Sequence, residues 1–219
     1  MRREPPVRFR EGLGVKLPRA TRLVVLARSR RQLERVVLPK LREFLAARGL
    51  RLSDEKTKIV RDTEGFDFVG RQFKRLNPTK FLVRPRRRSI RQHRDALLAV
   101  FRNRAIPVGQ QIRRANAIIR GFCNHFRTDH SGRTFQRLTH WTLRSFCKWM
   151  ARRGGRVTAG QAYHRLTRVN GHRFSMPTAY TPEGKLVTLL AHTRFHRVRH
   201  QQVKGANSPL DPRLADYWE

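Results

Sequence analysis

Residues 113–153 read RRANAIIRGFCNHFRTDHSGRTFQRLTHWTLRSFCKWMARR. With Ile112 just before them, Ala115, Ile119, Phe122 and Phe126 step by three and four residues. That is the period of one face of an α-helix. From Thr134 a second helical pattern carries Phe135, Leu138, Trp141 and Trp149, and Gly154–Gly155 ends it. Along another face of this second pattern Arg133, Arg137, Arg144, Lys148 and Arg152 step by four, seven, four and four. Each helix must bury its apolar face and neutralise its cations, and a phosphate backbone is the natural neutraliser. Between Ala96 and Pro182 the sole acid is Asp129, against sixteen Arg and Lys.

Outward from this stretch, Pro85 opens RRRSIRQHRDALLAVFRNR, a basic helix with Ile90, Leu97, Leu98 and Phe101 apolar. Pro107 opens the helix that runs into residues 113–126. Downstream, short elements are expected around residues 158–167 and 185–190. Upstream, residues 22–27 (RLVVLA) form a β-branched run of strand type. Ser29 and Gln32 make a capping-box pattern for a helix to Arg48. Its apolar face is Leu33, Val37, Leu41, Phe44 and Leu45, and Gly49 is its stop. Pro39 falls inside that helix and predicts a kink. Residues 50–60 and 66–73 read as extended segments around a turn at 62–65. The expected fold class is α+β: a small βαββ piece, then a mainly helical region, then a basic and partly irregular C-terminal region.

Fifty Lys and Arg against fifteen Asp and Glu give a formal charge of +35 on 219 residues. Self-repulsion at that density opposes compaction, and a polyanion relieves it. Arginine dominates the cations, which favours bidentate phosphate contacts and stacking on bases. Hydrophobic residues make up 38% of the chain, enough for one modest core or two small ones. No apolar run approaches the roughly 20 residues that cross a bilayer, and the start is not a secretory signal. The two cysteines, Cys123 and Cys147, belong to no CxxC pair. Zinc sets built on Cys123 with His125, or His140 with Cys147, match no ordinary ligand spacing. Buried thiols in a cytoplasmic protein are the expectation, with no metal and no cofactor.

Three segments together resemble the C-terminal part of the reverse transcriptase/maturases encoded by bacterial group II introns. LVVLARSRRQLERVVLPKLREFLAARGLRLSDEKTKIV (residues 23–60) and EGFDFVGRQF (residues 64–73) are similar to the end of the reverse-transcriptase palm. Residues 113–153 resemble the maturase-specific X domain, or thumb. VKGANSPLDPRLADYWE (residues 203–219) resembles the start of the DNA-binding region. The domains implied are an irregular leader (1–21), a palm remnant (22–83), the X domain (84–156) and a basic DNA-binding-like region (157–219). The polymerase motif A-D-D falls on Ala20, Thr21 and Arg22, so its two metal-binding carboxylates are replaced. The resemblance therefore implies a non-enzymatic, maturase-type protein that stabilises folded group II intron RNA to assist splicing. Alternatives are a subunit of a split reverse transcriptase, completed by a separate polypeptide, or a generic component of a ribonucleoprotein. The expected partner is structured RNA, with DNA a second candidate and no membrane.

The candidate RNA-binding residues are the cations of the three helices and their flanks. They are Arg86, Arg87, Arg88 and Arg91; then Arg113, Arg114, Arg120 and Arg127; then Arg133, Arg137, Arg144, Lys148, Arg152 and Arg153. A solvated face usually interleaves Glu, and the last set has none. Asn124 lies in the R-G-x-x-N-x-F-R part of the resemblance, where it could read a ribose 2′-hydroxyl or cross-link helices. Arg194, Arg197, Arg199, His200 and Lys204 are candidates for a DNA or RNA backbone. His192, His196 and His200 would line one face of a helix and could hold a metal, but the surrounding arginines repel cations. Trp141 and Trp149 are expected to pack the core.

Overall fold

The computed structural model describes residues 24–155 and 157–199, which fall into two compact units divided between Ile59 and Val60.

In the first unit α1 (Arg30–Gln32), a π-helical turn (Leu33–Val37) and α2 (Leu38–Ala46) form one helical run. The Ser29 side chain accepts from the Gln32 N–H at 3.2 Å, one half of the expected capping box, while the Gln32 side chain accepts from the Arg28 N–H at 3.3 Å instead of from Ser29. The expected kink at Pro39 takes the form of the π turn. Proline has no N–H to give and its ring crowds the carbonyl four residues back. One extra residue in the preceding turn relieves this, and the Leu38 N–H bonds to Leu33 O, five residues back. The strand expected at 22–27 is not formed across its described part: residues 24–27 are irregular. No strand among the described residues pairs with them. Residues 50–60 likewise make a turn and irregular chain rather than a strand.

The second unit begins with an antiparallel sheet, β1 (Phe66–Phe68), β2 (Arg71–Asn77) and β3 (Lys80–Pro85), in that order. Phe68 pairs with Arg71 across a two-residue turn in which Val69 and Gly70 both have positive φ, 43° and 77°. Those angles make a type I′ turn, whose twist suits a hairpin, but a β-branched residue is strained there. The hairpin tip is fastened to the next helix: Gly70 O accepts from the Arg86 N–H and from Ser89 Oγ, both at 3.0 Å.

Four helices follow: α3 (Arg87–Arg102), α4 (Val108–Phe126), α5 (Gly132–Arg153) and α6 (Ala159–Leu166). Their buried seams are those of the period-3.6 reading. Leu97, Ile112, Ala115, Ile119 and Phe146 are fully inaccessible, with Phe101, Phe126, Phe135 and Leu138 nearly so. Phe101 and Phe146 meet edge to face at 5.1 Å. The Thr158–Gln161 capping box starts α6, in the 158–167 interval.

Two small hairpins close the unit, β4 (Arg168–Val169) with β5 (His172–Arg173) and β6 (Thr178–Tyr180) with β7 (Leu186–Thr188). Asn116 of α4 holds the chain leaving β7. Its amide donates to Thr188 O and accepts from the Leu190 N–H, both at 2.8 Å. Gly109 lets α4 approach β6 closely, since a Cβ there would lie 2.1 Å from Tyr180 O. A 3-10 turn (His192–Arg194) then packs on α5, where the Thr193 N–H reaches Thr139 Oγ1. Among the described residues no helix is long and apolar enough to cross a membrane.

Candidate nucleic-acid interface

At 100° of turn per residue, Arg133, Arg137, Arg144, Lys148 and Arg152 of α5 fall within an arc of about 100° and span about 29 Å along the axis. All five are exposed. On α4, Arg113, Arg120 and Asn124, with Arg127 just past its end, fall within about 60° by the same count, and all are exposed. Arg114 is exposed on an adjoining flank. Within the described residues the Asn124 side chain has no intramolecular hydrogen bond, which leaves its donors and acceptor available to a ligand. At the start of α3, Arg87, Arg88 and Arg91 are exposed, and no acid occupies the first turn. Cations there oppose the positive end of the helix dipole, so the arrangement is uncomfortable without an anion.

Three candidates have protein partners. Arg153 donates through Nη1 to Ile106 O at 2.8 Å and ties α5 to the α3–α4 loop. Arg113 lies 3.8 Å from Glu183, an exposed pair of small energetic weight. The Glu183 carboxyl is held below its usual range first by the Thr181 hydroxyl, then by its own backbone N–H and by Arg113. Arg152 sits over the Trp149 ring at 4.9 Å. Arg86 is half-buried, and its Nε has no acceptor among the described residues.

The one acid of the basic stretch is withdrawn from the surface. Asp129 is 4% exposed and accepts from Arg71 Nε at 3.1 and 3.0 Å. Arg71 also donates to His125 O and lies over the Phe126 ring. The β2 strand thus clamps the α4–α5 corner, and Asp129 spends its charge there rather than on the cationic faces. Arg71 and Asp129 are 58 residues apart in sequence, and no local pattern announces the pair.

The histidine triplet does not form a helical face, because only residues 192–194 make a turn of 3-10 helix. His192 is instead fully buried, with its Nε2 2.8 Å from His93 Nε2, while His196 is exposed. Phe122 stacks on His93 at 4.1 Å. Desolvation lowers the His93 pKa to about 4, helped by Arg94, and the His192 pKa to about 3, helped by His93. Both rings are neutral at pH 7, and one donates to the other. Among the described residues no group of three metal-ligating side chains occurs. Cys123 and Cys147 are buried, and desolvation pushes their thiols up to about 12 and about 11. Arg194, Arg197 and Arg199 are exposed. His200 and Lys204 lie outside the described residues, as do Ala20, Thr21 and Arg22.

Fold and surface together define a class: a helical module with a buried apolar core, a hairpin brace and arginines turned outward on three helices. Residues 90–169 match the family model of the group II intron maturase-specific domain. The match runs from the first turn of α3 to the end of β4, through every helix that carries the cationic arcs. The chain thus carries a group II intron maturase-specific domain, which is a non-catalytic domain. The segments 23–73 and 203–219, likened to palm and DNA-binding region, lie outside the matched stretch. No curated protein matches the chain.

Proposed function

We propose that this protein binds structured RNA, group II intron RNA above all, and stabilises its splicing-competent fold without polymerase chemistry of its own. The observation that carries the reading is the segregation of charge in the second unit. Five cations line one exposed arc of α5, a second set lines α4, and the single acid between Ala96 and Pro182 is buried on Arg71. Cations fixed on a packed helix are placed before the RNA arrives, so little ordering is left to binding. The A-form helix is read through phosphates and ribose hydroxyls, which suits arginine forks and an unpartnered Asn124. Arg194, Arg197 and Arg199, with His200 and Lys204, extend the backbone contacts, and DNA is the other polyanion they fit. The RNA supplies the chemistry; the protein supplies charge neutralisation and shape.

The test compares a group II intron RNA with an unrelated structured RNA of equal length at moderate salt. The reading expects at least about 10-fold tighter binding to the intron. Equal affinities would reduce the protein to a generic polycation, whose binding is set by phosphate charge alone.

A second reading attaches to the first unit. Leu33, Val37, Leu41, Phe44 and Leu45 share one helical face and stay only half-buried. A separate reverse-transcriptase polypeptide carrying the remainder of a palm is the partner such a stripe would suit. Co-purification of that polypeptide, lost on Leu41→Lys, would support it.

A further inference from the structure

An open cleft of about 410 Å³ lies between α3 and α5, within the size range of small-ligand sites. Arg87, Arg91 and Arg94 line it on the α3 side together with Ile90 and Leu98, and Trp141 closes the α5 side. The spacing 87, 91, 94, 98 is one flank of a helix, so α3 presents three guanidinium groups and two apolar side chains in a single strip. Trp141 lies between Arg137 and Arg144 within the cationic arc of α5; like Trp149 it packs against the core, as expected, yet it is only half-buried and keeps part of its ring open. The two basic faces therefore meet at an indole ring.

Three details distinguish this cleft from a solvated groove. The Arg94 guanidinium lies over the Trp141 ring, 5.1 Å from its centroid, so a cation and an aromatic ring line the cleft together. Its Nε is buried and has no acceptor among the described residues. Asp95, on the lip, is exposed and makes no ion pair with the three arginines beside it, so its carboxylate is free to accept from a ligand. The second Arg–Trp contact between these helices differs: Trp149 has Arg102 at 5.4 Å and Arg152 at 4.9 Å, an arginine from each helix.

We propose that the α3–α5 cleft holds one unpaired nucleotide of a bound RNA, its base against Trp141 and Arg94 and its phosphates on Arg87 and Arg91. Aromatic rings and guanidinium planes are the groups on which splayed-out RNA bases stack. The free Asp95 carboxylate favours guanine, whose N1–H and N2–H can both donate to one carboxylate. This proposal deepens the RNA-binding reading and rests on it. It adds that the cationic arcs hold paired RNA while the cleft registers a bulged or looped base.

The experiment uses the full chain and two RNAs: a perfectly paired hairpin stem, and the same stem with a single unpaired guanosine. The wild-type protein is expected to prefer the bulged stem by about 5- to 150-fold, the range that base–aromatic stacking supplies. Trp141→Ala should bring that ratio close to one, Trp141→Phe should keep most of it, and Arg91→Ala, at an exposed position, should lower it. The indole N–H resonance of Trp141 should shift with the bulged stem and stay in place with the paired one. Wild-type binding of both stems with equal affinity would overturn the cleft proposal and leave the RNA-binding reading standing. A preference that survives Trp141→Ala would also overturn it. Failure to bind either stem, or the intron RNA itself, at moderate salt would remove both.

Discussion

Residues 24–59 and residues 60–199 are both written in amphipathic segments, yet they bury their apolar faces to different depths. Among the described residues of the first unit no side chain is buried. Leu33, Val37, Leu41, Phe44 and Leu45 share a helical face and remain half-exposed. In the second unit the matching positions of α3, α4 and α5 are inaccessible to solvent, from Leu97 through Ile112 and Ile119 to Phe146. Periodicity is therefore necessary but not sufficient: an apolar stripe becomes core only when another stripe is brought against it. In the second unit that is done by contacts of long sequence separation. Arg71 reaches Asp129, His93 reaches His192, and Asn116 grips the chain around β7.

The sharpest way to break this contrast is to delete one apolar side chain from each unit. Phe146→Ala removes a fully buried ring that meets Phe101, and should cost about 3–5 kcal/mol in denaturant unfolding. Leu41→Ala, at a half-buried position, should cost less than about 1 kcal/mol, since most of its surface stays in water. Similar losses for both would mean that the first unit shares the cooperative core.

Acid should act next. The folded-state pKa values of His93 and His192 lie below the ordinary value of 6.5. As pH falls below 6.5 the unfolded chain takes up protons that the buried pair refuses. Stability present above pH 6.5 is therefore lost as pH drops towards 4. At pH 5 the loss approaches about 2 kcal/mol per histidine. Thermal melts at pH 7 and pH 5 check this, and His93→Leu should roughly halve the difference, since burial still lowers the His192 pKa. A melting temperature independent of pH in this window would show that the pair is not buried and neutral.

The smallest effect is a gain. Val69 carries a φ of 43° at an exposed turn position, where a β-branched residue is strained. Val69→Asn suits a type I′ turn and should raise stability by about 1 kcal/mol. No change would mean that the turn relaxes in solution.

These contrasts also mark what could be seen in the sequence. α4 and α5 were legible because their apolar residues repeat at three and four and proline and glycine punctuate them. The Thr158 cap lay within an interval already expected to hold structure. The described part of the 22–27 run, residues 24–27, was misleading because β-branched residues favour a strand only where a partner strand exists, and none pairs with it among the described residues. Pro39 announced a distortion but not its form, since a kink and a π turn both relieve the same clash. The cationic arc of α5 was readable from spacing alone. Its meeting with α3 at Trp141 was not, because the two helices come together through tertiary packing; Trp141 packs against the core as its apolar position suggests, but spacing does not show that part of its ring stays open. The His93–His192 pair spans 99 residues and was invisible for the same reason.

The central claim is that fixed cations on α5 are the RNA surface. Its most direct test is the intron-RNA affinity of Arg137→Glu/Arg144→Glu beside that of wild type across a salt series, with melting temperature recorded for both. Two reversed charges on an exposed arc should leave the melting temperature nearly unchanged. They should weaken binding by at least about 10-fold and make the logarithmic salt dependence shallower by roughly two phosphate contacts. Unchanged affinity and an unchanged salt slope would contradict the account and place RNA binding, if any, elsewhere on the chain.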